Sequence, residues 1–284
     1  GFAHIELNHQ IDSAMLRGIE MGAFHFSSLH EPCPADISVD TLKARDWLIS
    51  AQDEDNRRQG VAAVKRSLDL ANTLGVGVIV VHCGNVQNDL SQERRLRSLY
   101  EAGMTGSEEY ARLKADMVQA RSDLAEARLA AVKKSLRELL EYAAPLGIRL
   151  GLENRYHYMD IPLQDELGEL LELAGADRLG FIYDVGHAQA LDGLGFFPHA
   201  AWLERYASRM FGAHLHDVQG VQDHFAPGLG EIDYLRIAPY LPQGAFRTLE
   251  LHHNNSSEKV AAGLRVLAAR GCVHPLENKE NPDA

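Results

Sequence analysis

Short apolar segments recur along the chain, and each is followed by a longer segment in which apolar residues repeat every three or four positions. The first pattern is typical of buried β-strands and the second of amphipathic helices. Their alternation predicts βαβ units and a parallel sheet. The strand pattern occurs in seven segments: residues 3–7, 23–29, 77–82, 148–153, 179–184, 210–216 and 246–251.

The helical segments are residues 10–20, 55–74, 90–144 in pieces, 164–174, 199–208, 234–240 and 256–270. Together with the strands they predict an α/β fold, a TIM barrel of the (β/α)8 type. Seven strands leave one βα unit unaccounted for. Because the first strand begins at residue 3, we expect the first unit to be the missing one. An open doubly wound sheet is the alternative that also fits the strand count.

The length of 284 residues is close to the usual size of one such barrel, so we expect a single domain over residues 1–284. A helical insertion is predicted around residues 85–131. Ser107 is a suitable helix N-cap there, and a narrow apolar stripe follows it. The stripe fits either a barrel helix that extends over the rim or a contact between subunits, which leaves a homo-oligomer open.

The chain carries 28 basic and 40 acidic residues, for a net charge of −12. No broad basic field is therefore available for a nucleic-acid backbone, and nucleic acid is not an expected partner. No apolar run approaches the roughly 20 residues of a membrane span. Three cysteines without metal-type spacing argue against a disulfide framework. These features predict a cytoplasmic protein that does not enter membranes.

Acidic and imidazole side chains stand at the ends of the predicted strands. In a parallel barrel all carboxyl ends of the strands meet at one mouth, where catalytic groups gather. A carboxylate at the end of an apolar strand is costly to bury without a partner, and a divalent cation supplies one. Mixed imidazole and carboxylate ligands suit Zn²⁺, Mn²⁺ or Fe²⁺. The side chains concerned are His30, His82, Glu153, Asp184, His214 and Glu250.

In their order and strand-end positions these residues resemble the xylose-isomerase-like TIM barrels, a family that includes sugar isomerases, sugar epimerases and the apurinic endonuclease IV enzymes. The resemblance runs from the first residues to about Gly271. It implies a central divalent metal bound by four side chains from successive strands. By this resemblance the ligands are Glu153, Asp184, His214 and Glu250.

Endonuclease-like members of that family hold further metals. The resemblance implies a second site made by His30 and His82, with Glu153 bridging the two metals. It also implies that His187 and His224 match two ligands of a third site. The third ligand there is an aspartate two residues before the second histidine. This chain has Gln222 at that place and Asp223 one position later, which weakens the prediction of a third metal. In isomerase-like members the equivalents of His187 and His224 face substrate oxygens instead.

Further candidates follow from the alternation of side chains along a strand. His216 lies two positions after His214 and so shares its face, where we expect it to contact substrate or a metal ligand. Arg155 shares the face of Glu153, where it can bind a substrate anion or carbonyl, or form a salt bridge at the rim. The aromatic and polar residues 156–158 can stack on a sugar.

The first hypothesis is a metal-dependent sugar or sugar-phosphate isomerase or epimerase with a small carbohydrate as substrate. A divalent cation, Mn²⁺ or Zn²⁺ with Mg²⁺ also allowed, acidifies a C–H next to a carbonyl, and two carboxylates exchange the proton. By the resemblance, Glu153 and Glu250 form this acid/base pair, while Arg155, His187, His216 and His224 contact substrate.

The second hypothesis is a zinc-dependent phosphodiesterase similar to apurinic endonuclease IV, which the retained His30 and His82 favour. The net charge and the loop at residues 31–36, which has neither an arginine nor an aromatic wedge to enter DNA, argue against it. Elimination or bond cleavage at a sugar keto intermediate is a third possibility. A noncatalytic binding module is least favoured, because binding alone does not require so many potential ligands at one mouth.

Overall fold

The computed structural model describes residues 2–273. In chain order the strands are Ile5–Leu7 (β1), Phe26–His30 (β2), Val78–Val81 (β3), Arg149–Glu153 (β4), Leu179–Asp184 (β5), Met210–His214 (β6), Asp217–Gln219 (β7), Gln222–Phe225 (β8) and Phe246–Thr248 (β9). Seven of these strands form a parallel sheet in the order β1-β2-β3-β4-β5-β6-β9. The remaining two, β7 and β8, form a short antiparallel hairpin beside it.

Helices follow the strands, as the sequence predicted. They are Ser13–Arg17 (α1), Val39–Ala44 (α2), Glu54–Leu74 (α3), Ser91–Glu101 (α4), Glu108–Ala143 (α5), Gln164–Leu171 (α6), Val185–Gly193 (α7), His199–Tyr206 (α8), Tyr234–Ile237 (α9) and Ser257–Ala269 (α10). Local chemistry sets their ends. Ser107 caps α5 by accepting a hydrogen bond from the backbone N–H of Tyr110, and α3 ends at Gly75, which has a left-handed φ of 68°.

The sheet forms a nearly closed barrel, which confirms the predicted fold class. Each strand pairs with the next barrel strand in the chain, so the strand order never reverses, and the doubly wound alternative is wrong because it requires such a reversal. Among residues 2–273, β1 and β9 are the unpaired ends of the sheet. A cleft of about 1130 Å³ is lined by residues of both, in agreement with a gap of one strand at this place.

The core has two parts, one on each face of the sheet. The larger part lies between the sheet and the helices, where Leu150 and Leu152 of β4 point outward and Phe181 stacks on Trp202 of α8. The smaller part fills the inside of the barrel and consists of Val78, Val80, Ile182 and Phe211, with Phe246 packed against it. This inner apolar plug closes the barrel beneath the carboxyl ends of the strands.

Glycines on the inner face make room for this plug. A Cβ added at Gly151 would lie 2.5 Å from the Ile182 side chain, and one added at Gly180 would lie 2.5 Å from the Phe211 ring. Small residues facing large ones on neighbouring strands are a common way to fill a narrow barrel. No helix among residues 2–273 has the length and apolar character needed to cross a lipid bilayer.

We predict that Gly151→Ala destabilises the protein by about 1–3 kcal/mol, because the new methyl group overpacks the inner plug against Ile182. Gly77→Ala is the matched control, since nothing within the described residues lies within 4 Å of a Cβ at that position. Urea denaturation followed by circular dichroism measures both free energies of unfolding. Equal stability of the two variants would contradict the packing argument.

Candidate metal centre

The strand-end residues predicted from the sequence meet at one mouth of the barrel. His30, Glu153, Asp184 and His214 are the last residues of β2, β4, β5 and β6. His82 directly follows β3, and Glu250 follows β9 by two residues. Parallel pairing of neighbouring strands brings these ends together, although the residues are far apart in the chain.

His214 is the centre of the first cluster, and it is fully buried. Its Nδ1 atom lies 2.8 Å from Oε1 of Glu153, 2.7 Å from Oε2 of Glu250 and 3.7 Å from Oδ2 of Asp184. The side chains of Glu153, His214 and Glu250 come close enough together to share one cation, and His30 joins them in this group. Asp184 lies at the edge of this group and is also close to His187 and His224, with which it forms a second possible ligand set.

Two further imidazoles approach the same cluster from β2 and β3. The Nε2 atoms of His30 and His82 are 2.5 Å apart, and Oε2 of Glu153 lies 3.1 Å from Nε2 of His82. Glu153 thus turns one carboxylate oxygen toward His214 and the other toward this histidine pair. A carboxylate placed in this way would be able to bind one cation with each oxygen.

The side chains of this cluster fit a divalent cation. Several buried donor and acceptor atoms have no hydrogen-bond partner within residues 2–273, among them Oε1 of Glu153, Oε2 of Glu250 and Nδ1 of His214. Burying such atoms without partners is costly, and a cation supplies the missing interaction. The mixture of imidazole nitrogen and carboxylate oxygen suits a transition metal or Zn²⁺ better than Ca²⁺.

Electrostatics keep the carboxylates of the cluster ionised. Burial alone would raise the pKa of Glu153, but the Arg155 guanidinium and the imidazoles of His214 and His82 hold it well below its usual range. Burial likewise opposes ionisation of Glu250, whose pKa is held low by His214. Both carboxylates are therefore available as anionic ligands or as proton acceptors at neutral pH.

A second cluster lies beside the first. Asp184 caps the N-terminus of α7 by accepting from the backbone N–H of His187, and its Oδ1 lies 3.4 Å from Nε2 of His216. The rings of His216 and His224 stack with centroids 4.3 Å apart. Asp223 completes the group, with its Oδ1 2.9 Å from Nδ1 of His224 and its Oδ2 3.8 Å from Nε2 of His187.

At the β7–β8 hairpin, Asp223 supplies a second carboxylate, beside that of Asp184, to this cluster. Gln222 turns away and donates to Glu101 of α4 at 2.9 Å. Neighbouring residues of a strand normally point to opposite faces, but the φ of His224 is 62°, in the left-handed region. The carbonyl of His224 accepts hydrogen bonds from the side chain of Asn255 and the backbone N–H of His252, both at 3.1 Å, which hold this conformation. The aspartate stands one residue closer to the histidine than in endonuclease-like members, but its carboxylate still lies in the cluster.

Arg155 is almost buried beside the first cluster. Its guanidinium contacts the Glu153 carboxylate, and its Nε lies 3.7 Å from Oδ2 of Asp160. The ion pair that the sequence left open as an alternative is thus formed.

The loop after Arg155 is fixed by α4, a helix of the predicted insertion. The buried Glu93 accepts from Nδ1 of His157 at 2.8 Å and from the backbone N–H of Tyr158 at 3.0 Å. Arg97 lies 3.9 Å above the Tyr156 ring and donates to the backbone oxygens of Tyr156 and Val221. The second cluster's hairpin and the loop after β4 are thereby held together.

Stacking of residues 156–158 on a sugar is wrong for Tyr158. That side chain is buried, and its ring stacks on Phe196 with centroids 4.0 Å apart. The reason is tertiary, because Tyr158 packs into the outer core together with Phe196, which comes shortly after α7 in the chain. Tyr156 keeps one face toward His187, at a centroid distance of 5.8 Å.

Sequence reasoning missed one acidic residue of the site, Glu6 of β1. Its Oε1 lies 3.1 Å from Nε2 of His214 and 3.7 Å from Nδ1 of His30. Burial would raise its pKa, but the two imidazoles lower it to about 2. The available signal was an acidic residue between Ile5 and Leu7 in a predicted strand, which is unusual for a sheet covered on both faces.

Residues 27–270 match the sequence profile of a known family, the xylose isomerase-like TIM barrel. The chain belongs to this family. An uncharacterised protein of Methanocaldococcus jannaschii is 27% identical over 112 residues, which span 38% of this chain and 38% of that protein. The matched segment therefore spans well under half the length of that curated relative.

Solved structures have the same xylose isomerase-like fold. The 3-keto-D-glucoside 4-epimerase YcjR from E. coli superposes with a TM-score of 0.61 at 16% identity, covering 95% of this chain and 90% of its own. The IOLI protein with a zinc atom superposes with a TM-score of 0.55 at 14% identity, covering 94% and 97%. At these identities the likeness establishes the fold alone.

We predict that Zn²⁺ or Mn²⁺ stabilises the metal-stripped protein, because a cation binds the folded cluster and not the unfolded chain. At 100 times the dissociation constant the gain is about 2.7 kcal/mol. Thermal unfolding with and without added metal measures it. Glu153→Gln is expected to lose most of this gain, since Glu153 faces both His214 and the His82 pair. Glu204→Gln, an exposed position, is expected to behave as the wild type.

Proposed function

We propose that this protein is a divalent-metal-dependent sugar or sugar-phosphate isomerase or epimerase acting on a small carbohydrate. The observation that carries the proposal is the position of two carboxylates, Glu153 and Glu250, which lie 2.8 Å and 2.7 Å from Nδ1 of the buried His214. Membership of the xylose isomerase-like family and the likeness to a sugar epimerase support it.

In the proposed reaction Glu153 and Glu250 move the proton. A divalent cation held by Glu153, Asp184, His214 and Glu250 would supply a Lewis acid that acidifies the C–H next to a substrate carbonyl. One carboxylate removes this proton, and the other returns a proton to the opposite face of the carbon for epimerisation. The two side chains reach His214 from β4 and from the segment after β9, so they approach from different parts of the mouth.

Four basic side chains are proposed to hold the substrate oxygens. Arg155 lies beside the proposed base Glu153, and His187, His216 and His224 lie together in the second cluster. Burial lowers the pKa of His216, so it is neutral and can donate or accept. Burial opposes protonation of His224, but Asp223 raises its pKa to about 11, which favours contact with an anionic oxygen.

The cation is proposed to be Mn²⁺ or Zn²⁺, with Mg²⁺ as a weaker candidate, held by Glu153, Asp184, His214 and Glu250. The mixed nitrogen and oxygen donors support the first two ions. For the second candidate function, a phosphodiesterase, His30 and His82 with Glu153 would hold a second cation, and His187 and His224, with Asp223 between them, would hold a third.

A zinc-dependent phosphodiesterase is the second candidate function. The observation that favours it is the carboxylate of Asp223 in the second cluster, which supports a site of three cations such as endonuclease-like members use. The net charge of −12 and the loop at residues 31–36 argue against a nucleic-acid substrate. Metal content per chain distinguishes the two candidates. One Mn²⁺ or Mg²⁺ per chain favours the isomerase, and two or three Zn²⁺ favour hydrolysis.

We also propose that residues 85–131 form a helical insertion of a single barrel domain, and that it shapes access to the mouth. The contacts of Glu93 and Arg97 with the loop after β4 and the β7–β8 hairpin support this role.

Incubation of the metal-loaded protein with a panel of ketoses, aldoses and their phosphates in D₂O tests the proposed chemistry. We expect deuterium to enter the substrate at one carbon next to a carbonyl, because proton removal and return pass through a carboxylate that exchanges with solvent. Mass spectrometry measures the exchange. Cleavage of bis-p-nitrophenyl phosphate, with no exchange in any sugar, would favour the phosphodiesterase instead.

Once a substrate is found, Glu250→Gln is expected to lower kcat by about 10²–10⁴-fold, since the amide cannot accept the proton. The fold is expected to remain, because the amide has nearly the same volume as the carboxyl group. Glu204→Gln serves as the control at an exposed position. Rates are compared at equal metal content, and a chelator must abolish both. Full activity of Glu250→Gln would remove this residue from the mechanism.

A further inference from the structure

Glu6 occupies an unusual position at the open end of the sheet. It belongs to β1, the end strand, and the parallel register places it beside Ser28 of β2. The Ser28 hydroxyl donates to the Glu6 carboxylate. Only 4% of the Glu6 side chain is exposed. A buried carboxylate requires compensating partners, and Ser28 alone is too weak a partner for a full negative charge.

The remaining partners of Glu6 are two imidazoles of the candidate metal centre. A single carboxylate oxygen, Oε1, lies 3.1 Å from Nε2 of His214 and 3.7 Å from Nδ1 of His30. These rings come from β6 and β2, which are not adjacent in the sheet. Glu6 therefore connects two parts of the centre that share no backbone pairing.

The two nitrogens of each ring face different groups. In His214, Nδ1 faces the carboxylates of Glu153 and Glu250, while Nε2 faces Glu6. In His30, Nε2 faces His82 and Glu153, while Nδ1 faces Glu6. In both rings one nitrogen faces the other residues of the centre. The second nitrogen, Nε2 of His214 or Nδ1 of His30, faces Oε1 of Glu6.

This division matters for metal binding because a neutral imidazole carries one N–H and one lone pair. Only the nitrogen with the lone pair can bind a cation. The hydrogen-bond partner of the other nitrogen determines which of the two nitrogens carries the proton. A carboxylate that accepts the outer N–H also fixes the ring orientation and raises the basicity of the binding nitrogen.

We propose that Glu6 is a positioning residue that holds His214 with a free Nδ1 and His30 with a free Nε2, and so sets the affinity of the centre for its cation. This inference rests on the proposed metal-dependent function. It adds a residue of β1 to a centre whose ligands, as implied by the resemblance, all lie on later strands. Glu6 itself does not touch the cation or the substrate.

Zinc affinity of the metal-stripped protein tests this role without any substrate. Competition with a chromogenic chelator gives the Zn²⁺ dissociation constant of the wild type, Glu6→Ala, Glu6→Gln and Ser28→Ala. We expect Glu6→Ala to bind Zn²⁺ about 10–100-fold more weakly, as is typical when an outer partner of a metal-bound imidazole is lost. Glu6→Gln keeps the volume and an acceptor oxygen and is expected to fall in between. Ser28→Ala removes a contact of Glu6 and keeps its charge, so its affinity is expected to stay close to that of the wild type.

A spectroscopic readout separates positioning from simple structural support. In the zinc-loaded wild type, ¹⁵N NMR of the imidazoles is expected to show a protonated Nε2 on His214 and a protonated Nδ1 on His30. In Glu6→Gln these signals are expected to shift or to exchange faster with water. If Glu6 only supports the fold, its replacement lowers the stability of the metal-free protein and leaves both the zinc affinity and the imidazole signals unchanged.

The possible failures are distinguishable. A wild-type protein that binds no divalent cation would remove the proposed metal-dependent function. A wild type that binds Zn²⁺, together with a Glu6→Gln variant of equal affinity and unchanged imidazole signals, would overturn the role of Glu6 alone. If Glu6→Ala does not fold, Glu6→Gln still decides the question, because its side chain fills the same space.

Discussion

The structure depends on the burial of ionised carboxylates beside imidazoles at the carboxyl ends of the barrel strands. Glu153, Asp184 and His214 are fully buried there, and an isolated charge in such a place would cost several kcal/mol. Part of the compensation comes from nearby residues such as Arg155, and part comes from side chains of other strands, such as His82 and His214 beside Glu153. The barrel must therefore close around this mouth with the correct strand register, since a shift by one residue would turn these groups into the outer core.

Apolar packing beneath the site and polar contacts at its rim help to hold these strand ends in place. The plug of Ile182, Phe211 and their neighbours fills the barrel under the site, where inner glycines such as Gly151 leave room for it. At the rim, Glu93 and Arg97 of α4 hold the loop after β4 against the β7–β8 hairpin. Packed strands, helices and loops thus surround the site, and this packing keeps its side chains in fixed positions.

Much of the fold was predictable because its signals are local. Parallel strands covered on both faces appear as short apolar runs, and the predicted strand at residues 179–184 agrees with β5 at both ends. The hairpin of β7 and β8 was not predicted, because its polar sequence has no strand pattern. The resemblance and the convergence of strand ends in a parallel barrel also predicted that His30, His82 and Glu250 lie at one mouth.

The sequence by itself determined which residues end the strands, since alternating strands and helices of this kind send all carboxyl ends to one side. The tertiary structure determined which side chains contact these strand-end residues. Glu6 reaches His214 only because strands distant in the chain face each other across the barrel, and nothing near Glu6 in the sequence encodes that contact. Asp223 joins the second cluster because hydrogen bonds from a later segment hold His224 in a left-handed conformation. Both outcomes depend on long-range contacts, which local patterns of residues do not contain.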